Sequence, residues 1–248
     1  MANNVKNSNI VVGLDIGTSK VVCIVGKYNE NQKLEIISLG AYPSSGLKKG
    51  VVVNIDATTD AIKKAVEQAQ SMIEEKIKSV YVGIAGSHIK SLNSQGAVGI
   101  KDKEVTPYDI DRVIDSAQAV SIPSDQNVLH VLPQEYVIDN QEVSLDPLGM
   151  AGVRLEAKVH LVTCANSAVK NIEKCIKNCG LSVDGFVLEQ LASSHSILSE
   201  DEKDLGVCLV DIGGGTTDIA IFNSGSIVFT GVIPIAGDQV TSDIAQAL

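Results

Sequence analysis

The stretch VCLVDIGGGTTDIAIF, residues 207–222, decides how this sequence folds. An apolar segment runs into Asp-Ile-Gly, a turn of Gly and Thr follows, and a second apolar segment leaves. Residues 11–25, VVGLDIGTSKVVCIV, have the same plan, with Gly-Thr-Ser at the turn. Short apolar runs on either side of a glycine-rich turn are typical of β-hairpins. The sequence therefore predicts two similar hairpins, each with an aspartate near the end of its first strand.

Both turns have the composition of a phosphate-binding loop. Such a turn exposes backbone N–H groups, glycine allows positive φ and close approach, and Thr or Ser hydroxyls add donors. Asp15 and Asp211 would repel a phosphate unless a cation lay between them, and Mg²⁺ is held by one or two carboxylates plus phosphate oxygens. Either turn alone could equally be a plain hairpin turn. Together they predict the two jaws of a nucleotide clamp.

Around the first hairpin, the sequence predicts the start of an α/β layer. Three apolar strands precede residue 43, and another strand ends at Gly86. Between them, a helix is expected from Asp56 to Glu75, because small and apolar side chains recur on one face. These side chains are Ala61, Ala65, Ala69, Met72 and Ile73.

Residues 87–165 change in character and predict a small α+β insert of about three strands and one helix. Its strands alternate apolar and polar residues, which is typical of half-solvated antiparallel strands. Its helix is expected to begin at Thr106 as N-cap, with Pro107 in the first turn. Residues 140–152 are expected to be a loop.

After the insert, a helix is expected that Asn166 or Ser167 caps and Gly180 ends. The acidic stretch SEDEKDLG, residues 199–206, is the best candidate for a domain boundary. A last helix is expected to begin at Gly237–Asp238 and to be cut short, so we expect a fragment of a longer protein.

Composition restricts the class of function. A net charge of −10 and an isoelectric point near 4.8 argue against a nucleic-acid surface, which needs excess Lys and Arg. No apolar run approaches the roughly 18 to 20 residues of a membrane-spanning helix. The cysteines favour a reducing cytoplasm, because all but Cys179 lie in or beside apolar runs, as buried free thiols do. They are Cys23, Cys164, Cys175, Cys179 and Cys208.

Three segments carry a family resemblance. LDIGTSK (14–20) and VDIGGGTTD (210–218) resemble the two phosphate loops of the actin, sugar-kinase and DnaK-type chaperone superfamily. LEQLASSHSIL (188–198) resembles the helix that connects them. Within that superfamily the insert, with LHVLPQEYVID (129–139) and GVRLEAKVHLVT (152–163), is similar to the FtsA family of bacterial cell-division proteins.

The resemblance implies an α/β fold: an actin-like (ribonuclease-H-like) domain with an inserted small α+β subdomain, followed by an incomplete second actin-like domain. Residues 1–86 and 166–200 would form the first actin-like subdomain. The insert would be residues 87–165, and residues 201–248 would begin the second domain.

The resemblance also implies roles for single residues. Asp15 would orient Mg²⁺-bound water, and Asp211 would be the second acid at the magnesium. Glu189 would position attacking water, although a helix N-terminus favours glutamate in any case. Asp218 is expected to be a turn-closing residue rather than a ligand. Phosphate contacts are expected from Gly17, Thr18, Ser19 and Lys20 on one side, and from Gly213, Gly214, Gly215, Thr216 and Thr217 on the other. At Lys20, a solvated turn lysine is an equal alternative.

The resemblance further implies the function of a cytoskeletal adaptor, which would bind ATP and Mg²⁺ and hydrolyse ATP slowly at most. It tethers the FtsZ ring to the inner face of the cell membrane at the septum and recruits later division proteins. Self-association is expected through the insert. The FtsZ surface, the adenosine site and the membrane helix are expected outside these residues, so the isolated chain should bind ATP weakly. A pilus-assembly actin-like adaptor, or a sugar kinase or chaperone ATPase, remains an alternative.

Overall fold

Fourteen strands and six helices make up the part of the chain that the computed structural model describes, residues 10–143 and 146–248. The strands are β1 (Ile10–Ile16), β2 (Lys20–Tyr28), β3 (Leu34–Pro43), β4 (Leu47–Lys48), β5 (Val51–Val52), β6 (Ser79–Ile84), β7 (Ile89–Gly99), β8 (Gln126–Ile138), β9 (Gln141–Val143), β10 (Arg154–Ala165), β11 (Ser182–Leu188), β12 (Val207–Ile212), β13 (Thr217–Asn223) and β14 (Ser226–Ile233). The helices are α1 (Ile55–Gln70), α2 (Pro107–Gln118), α3 (Asn166–Asn178), α4 (Glu189–Ile197), α5 (Glu200–Leu205) and α6 (Gly237–Ala247).

The first sheet has five strands in the order β11-β6-β1-β2-β3. Strands β1, β2 and β3 pair antiparallel, whereas β6 pairs parallel with both β1 and β11. Every second residue of β1 is buried, so one face of the sheet forms a core beneath α1 and α3. Leu14 and Ile62 lie in this core and are almost fully buried. The opposite face holds the site described below.

Helix α1 packs very closely on β3. An alanine at Gly40 would place its Cβ 2.0 Å from the carbonyl oxygen of Ala65, so only glycine fits there. Ala61 and Ala69 are also fully buried on this face. The predicted face is therefore confirmed for its alanines, and their small size allows the close approach.

The predicted end of α1 was wrong, because the helix stops at Gln70. The Gln70 amide donates to the carbonyls of Ile73 and Glu75, and its oxygen accepts from the N–H of Ile77. The side chain thus satisfies backbone groups of a loop. Met72, expected on the buried face, is 59% exposed as a result.

The insert is a four-stranded antiparallel sheet in the order β7-β10-β8-β9, with α2 packed on it. It has one strand more than expected, because β9 forms within the predicted loop. Thr106 is the N-cap of α2, as predicted, and shares a reciprocal capping box with Asp109.

Strand β10 is not half-solvated, since residues 159–164 are all buried. Its Val159 and Leu161 pack with Ala117 of α2, and the opposite face meets β14 and the first core.

The caps of the later helices differ from expectation. Neither Asn166 nor Ser167 caps α3, whose N-cap position is Ala165 without a side-chain hydrogen bond. Gly180 follows the helix with φ of 76°, as its predicted role requires. The acidic link forms the short helix α5, which Ser199 begins through a capping box with Glu202. The Ser-x-x-Glu spacing of that box was the signal in the sequence.

The third sheet has the order β12-β13-β14, all antiparallel, and α6 follows it. Strand β14 lies against the insert. Ser91 Oγ donates to the Thr230 carbonyl, and Gln134 Nε2 donates to the Ile227 carbonyl. The predicted burial of Cys208 on β12 is wrong, because its side chain is exposed, whereas Cys23, Cys164 and Cys175 are buried.

Candidate functional site

The two hairpins close in the same way. In the first, the Gly17 N–H donates to the Lys20 carbonyl at 3.0 Å, and in the second the Gly213 N–H donates to the Thr216 carbonyl at 2.9 Å. In each hairpin, four residues lie between the last two paired residues: 17–20 between Ile16 and Val21, and 213–216 between Ile212 and Thr217. The similarity that the sequence predicts therefore extends to the hydrogen bond that fixes each turn.

The two turns lie against each other. A Cβ on Gly214 would lie 1.8 Å from Ser19 Oγ, and one on Gly215 would lie 2.7 Å from Thr18 Oγ1. None of the glycines at either turn has positive φ, so the expected conformational reason for glycine was wrong. At Gly214 and Gly215, glycine is needed because any larger residue would collide with the first turn.

Neighbouring elements hold the first turn in place. Thr18 Oγ1 accepts a hydrogen bond from the Gly50 N–H at 3.3 Å, and the Ser19 carbonyl accepts from the Ser44 N–H at 2.9 Å. Gly50 lies at the tip of the β4–β5 hairpin and packs against Gly86, where the chain enters the insert. The first turn is thus in contact, through one hairpin, with the base of the insert.

The second turn is held by the N-terminus of α6. The N–H groups of Gly237 and Asp238 donate to the carbonyls of Gly213 and Gly214 at 3.1 and 2.9 Å. Thr217, a predicted phosphate contact, donates its hydroxyl to the Ile235 carbonyl at 2.8 Å. In this conformation, therefore, the Thr217 hydroxyl already donates its proton within the protein and is not free to donate it to a phosphate.

A cavity of about 440 Å³ lies beside the turns, between the outer face of the first sheet, α4 and the second hairpin. Four predicted site residues line it together: Asp15, Lys20, Glu189 and Asp211. The remaining predicted residues of the two turns are not part of the lining. The apolar part of the lining is Leu14, Val22, Ile24, Tyr81, Val82, Val187 and Ala192. The two acids of the repeated motif thus meet at one cavity although they are far apart in sequence.

Burial and mutual repulsion perturb the acids of this cavity. Burial, and then the charges of Asp15, Asp218 and Asp211, raise the pKa of Glu189 well above its usual range. Burial also raises the pKa of Asp15, the charge of Lys20 opposes this, and Asp211 adds to it. Such a cluster of carboxylates stabilises a cation and is stabilised by one.

The sequence predicts that Asp218 closes the turn, and this prediction was wrong. Asp218 lies within β13, directly opposite Asp211 in the strand register, and is 5% exposed. Burial raises its pKa to about 6, against a hydrogen bond from Thr216, and Asp211 raises it further. Gln190 Nε2 donates to Asp218 Oδ1 at 2.9 Å.

Two residues of the site were missed at the level of sequence. Gln190 contacts Asp218, and Ser193 Oγ donates to Asp211 Oδ2 at 3.3 Å. Both lie in the same connecting helix as Glu189, one and four residues after it. Their helical spacing was the available signal, because positions three apart share a face.

The donor set suits Mg²⁺ held partly by phosphate. In residues 10–143 and 146–248, no group of three or more His, Cys, Asp or Glu side chains converges to hold a metal by itself. Mg²⁺ does not require such a cage, since it keeps waters and takes one or two carboxylates plus phosphate oxygens. Asp15 and Asp211 supply hard oxygen donors of that kind.

Two family models match the chain. One, described as "SHS2 domain inserted in FTSA", matches residues 86–163, and the other, "Cell division protein FtsA", matches residues 208–248. The cell division protein FtsA of Pseudomonas aeruginosa is 64% identical over 245 residues, which cover 99% of this chain and 59% of that protein. The chain belongs to the FtsA family. FtsA of Neisseria meningitidis serogroup B is 53% identical over 235 residues, 95% of this chain and 57% of that protein.

The chain thus spans somewhat more than half the length of the FtsA proteins it matches. Among solved structures, the PilM–PilN type IV pilus biogenesis complex gives a TM-score of 0.71 at 16% identity, covering 96% of this chain and 65% of that chain. This likeness supports the predicted actin-like fold, and the family model over residues 86–163 confirms the FtsA-type insert. No helix in the described residues is long and apolar enough to cross a membrane.

Proposed function

We propose that this chain forms the phosphate-binding part of an ATP and Mg²⁺ clamp in a cell-division adaptor of the FtsA family. The observation that carries the proposal is the meeting of Asp15 and Asp211 at one cavity, beside two turns with the same closing hydrogen bond. Two jaws from different sheets can hold a phosphate chain from both sides, so the angle between them depends on what is bound.

Each part of the site has a chemical role in this proposal. Asp15 and Asp211 would hold Mg²⁺, which offsets the charge of the phosphates when bound. Thr18, Ser19 and residues 213–217 would donate to phosphate oxygens. Lys20 lines the cavity near Asp15 and would add a positive charge at the phosphates.

Glu189 is the residue that would orient water for hydrolysis. Burial and the neighbouring carboxylates raise its pKa well above the usual range, which favours the protonated form, and a protonated carboxyl cannot accept a proton from water. A bound cation would lower that pKa again. This supports slow ATP hydrolysis at most, in keeping with a switch rather than a metabolic enzyme.

For the whole protein, we propose an adaptor that tethers the FtsZ ring to the inner face of the cell membrane at the septum and recruits later division proteins. The 64% identity to a cell division protein supports this assignment over the pilus-assembly alternative, whose structural likeness is at 16% identity. We place the FtsZ and membrane contacts outside these 248 residues, and self-association on the insert.

The phosphate site is tested by calorimetric titration with Mg²⁺·tripolyphosphate and with Mg²⁺·ATP. The parent chain should bind both ligands with similar affinity, weaker than low micromolar, because the described site holds phosphates rather than a nucleoside. Asp15→Asn and Asp211→Asn should each weaken tripolyphosphate binding at least about tenfold. Saturable binding that survives both substitutions would contradict the proposal.

The adaptor role is tested with labelled peptides. On the proposed function, a full-length FtsA-family protein that contains this chain binds the C-terminal tail peptide of FtsZ and not a peptide of a pilus-assembly protein. The reverse result would transfer the assignment to the pilus-type adaptor. Transfer of phosphate from ATP to a sugar would instead indicate a kinase.

A further inference from the structure

The connecting helix α4 is joined to the second hairpin by two side-chain hydrogen bonds. Gln190 Nε2 donates to Asp218 Oδ1 at 2.9 Å, and Ser193 Oγ donates to Asp211 Oδ2 at 3.3 Å. The two donors are three residues apart on one helix face, and the two acceptors are cross-strand partners. The pairing therefore matches one face of the helix to one face of the hairpin.

Helix α4 buries polar rather than apolar side chains. Its two fully buried residues are Gln190 and Ser194, which are 1% and 0% exposed. A helix on a protein surface usually buries an apolar stripe. Leu191 of α4 also packs against the apolar cluster of the third sheet, so directional hydrogen bonds from Gln190 and Ser193 add to hydrophobic contact in holding α4 on the hairpin.

The Gln190 side chain carries a free-energy cost. Its Oε1 is buried and has no hydrogen-bond partner among the described residues. A buried acceptor without a partner destabilises a protein, and an apolar side chain of similar size would avoid that penalty. The hydrogen bond from Nε2 to Asp218 is the feature that a leucine could not provide.

The residue before Gln190 faces the other half of the site. A Cβ on Gly83 of the first sheet would lie 3.2 Å from Glu189 Cγ, so the Glu189 side chain packs on that sheet. Helix α4 also follows β11 of the first sheet directly. One helical turn therefore contacts the first sheet through Glu189 and the second hairpin through Gln190.

From these contacts we propose that Gln190 is a positioning residue: its hydrogen bond to Asp218 holds the second hairpin on α4 and so fixes Asp211 relative to Asp15 and Glu189. This inference rests on the proposed phosphate site. Without the bond, two carboxylates that repel each other across β12 and β13 lose one of their two donors on α4, and the second turn moves away from the first.

The contact between the turns can be measured by cross-linking without any ligand. In a Cys208→Ser background, Ser19→Cys and Gly214→Cys place two thiols at the contact, where a Cβ on residue 214 would lie 3.1 Å from Ser19 Cβ. A disulfide needs a Cβ separation of about 3.5–4.5 Å, so a small shift is enough. The strain that Gly214→Cys adds is the same in every variant, so differences in the rate of disulfide formation with diamide report how often the turns touch.

Gln190→Leu should lower this rate about tenfold, the equivalent of ~1.4 kcal/mol. Asp218→Asn is the matched control and should stay within about twofold, because its amide oxygen still accepts from Gln190 Nε2. Ser196→Ala, on the exposed part of α4, should have no effect. An unchanged rate in Gln190→Leu would overturn the proposal. If circular dichroism shows that Gln190→Leu does not fold, Gln190→Met removes the same donor with an unbranched apolar side chain and is judged by the same criterion.

A second measurement separates positioning from stability alone. Gln190→Leu should weaken Mg²⁺·tripolyphosphate binding about tenfold while Ser196→Ala leaves it unchanged. Loss of cross-linking with unchanged affinity would overturn the positioning role. If the parent chain binds no Mg²⁺·tripolyphosphate, the proposed phosphate site fails, and cross-linking still decides whether Gln190 holds the hairpin.

Discussion

His160 of the insert and Thr230 of the third sheet are joined by a hydrogen bond, with 3.0 Å between Nε2 and Oγ1. The other ring nitrogen, Nδ1, lies 2.6 Å from Asn93 Oδ1. Asn93 Nδ2 donates to the Val228 carbonyl, so Asn93 Oδ1 is the atom that faces the His160 ring. Because Oδ1 can only accept, the ring proton of His160 is on Nδ1. Nε2 then accepts from Thr230. A neutral histidine thus links the insert to the sheet that carries the second hairpin.

Acidification should weaken this link. Burial lowers the pKa of His160 from 6.5 to about 4. Between pH 4 and pH 6.5, the unfolded chain therefore binds a proton at this histidine that the folded chain does not bind. Over that range, the free energy of unfolding rises as the pH rises. The contribution of neutral His160 to the free energy of unfolding is complete above pH 6.5 and decreases by up to about 3 kcal/mol as the pH falls towards 4.

Urea unfolding of the parent and His160→Gln at pH 4.5, 5.5 and 7.0 measures this contribution. The parent should lose more stability than the variant as the pH falls. His88 and His130 remain in both proteins, and burial lowers the pKa of each, so their contributions cancel in the comparison. Equal losses in the two proteins would show that His160 does not titrate in this way.

Gly214→Ala should separate the two turns. Its Cβ would lie 1.8 Å from Ser19 Oγ, so we expect the free energy of unfolding to fall by about 1–3 kcal/mol in urea titrations. Ser19→Gly removes the colliding atoms and should restore most of the loss in the double variant. Gly99→Ala is the matched control, because nothing lies within 4 Å of its Cβ position. No rescue by Ser19→Gly would mean that the turns do not touch.

Asp218→Asn should stabilise the folded chain above pH 6. A buried carboxyl with a pKa of about 6, raised from 3.8, stabilises the fold below pH 3.8 and loses that effect as the pH rises through 6. Asparagine removes the charge and keeps the acceptor for Gln190, so the gain at pH 7.5 should reach about 2–3 kcal/mol and vanish near pH 4. Asp184→Asn, at an exposed position of β11, serves as the control in the same pH series. A gain independent of pH would rule out the carboxyl as its source.

Thr106→Ala should destabilise the insert by about 1 kcal/mol, because α2 loses its capping box. Ser167→Ala should change stability by less than about 0.5 kcal/mol, since Ser167 makes no capping bond to α3. Thermal unfolding of both variants measures the difference. Equal effects would contradict the assignment of the caps.

Much of the fold could be predicted because its signals are local. The hairpins, the α/β layer and the insert follow from apolar periodicity and turn composition over a few residues. The Thr106 cap and the glycine at 180 were correct for the same reason. The end of α1 was not, because Gln70 satisfies the backbone of a loop that lies beyond the helix pattern.

The site was predicted in part. Asp15, Lys20, Glu189 and Asp211 were identified by motif or resemblance, and the fold brings them to one cavity. Sequence reasoning assigned Asp218 to a turn, since nothing local to it indicates α4. Cys208 was expected to be buried because it lies in an apolar strand, but its side chain lies on the exposed face of β12 with Val210, opposite the buried Leu209.

By itself, the amino-acid sequence determined which segments become strands, helices and turns, and that two acid-bearing hairpins occur. Only the tertiary structure decided that their turns touch, that Gln190 and Ser193 bind the paired acids, and that His160 joins the insert to the third sheet. Backbone periodicity is a property of neighbouring residues, whereas these contacts join residues up to 197 positions apart, as Thr18 and Gly215 are, and exist only once separate sheets have packed.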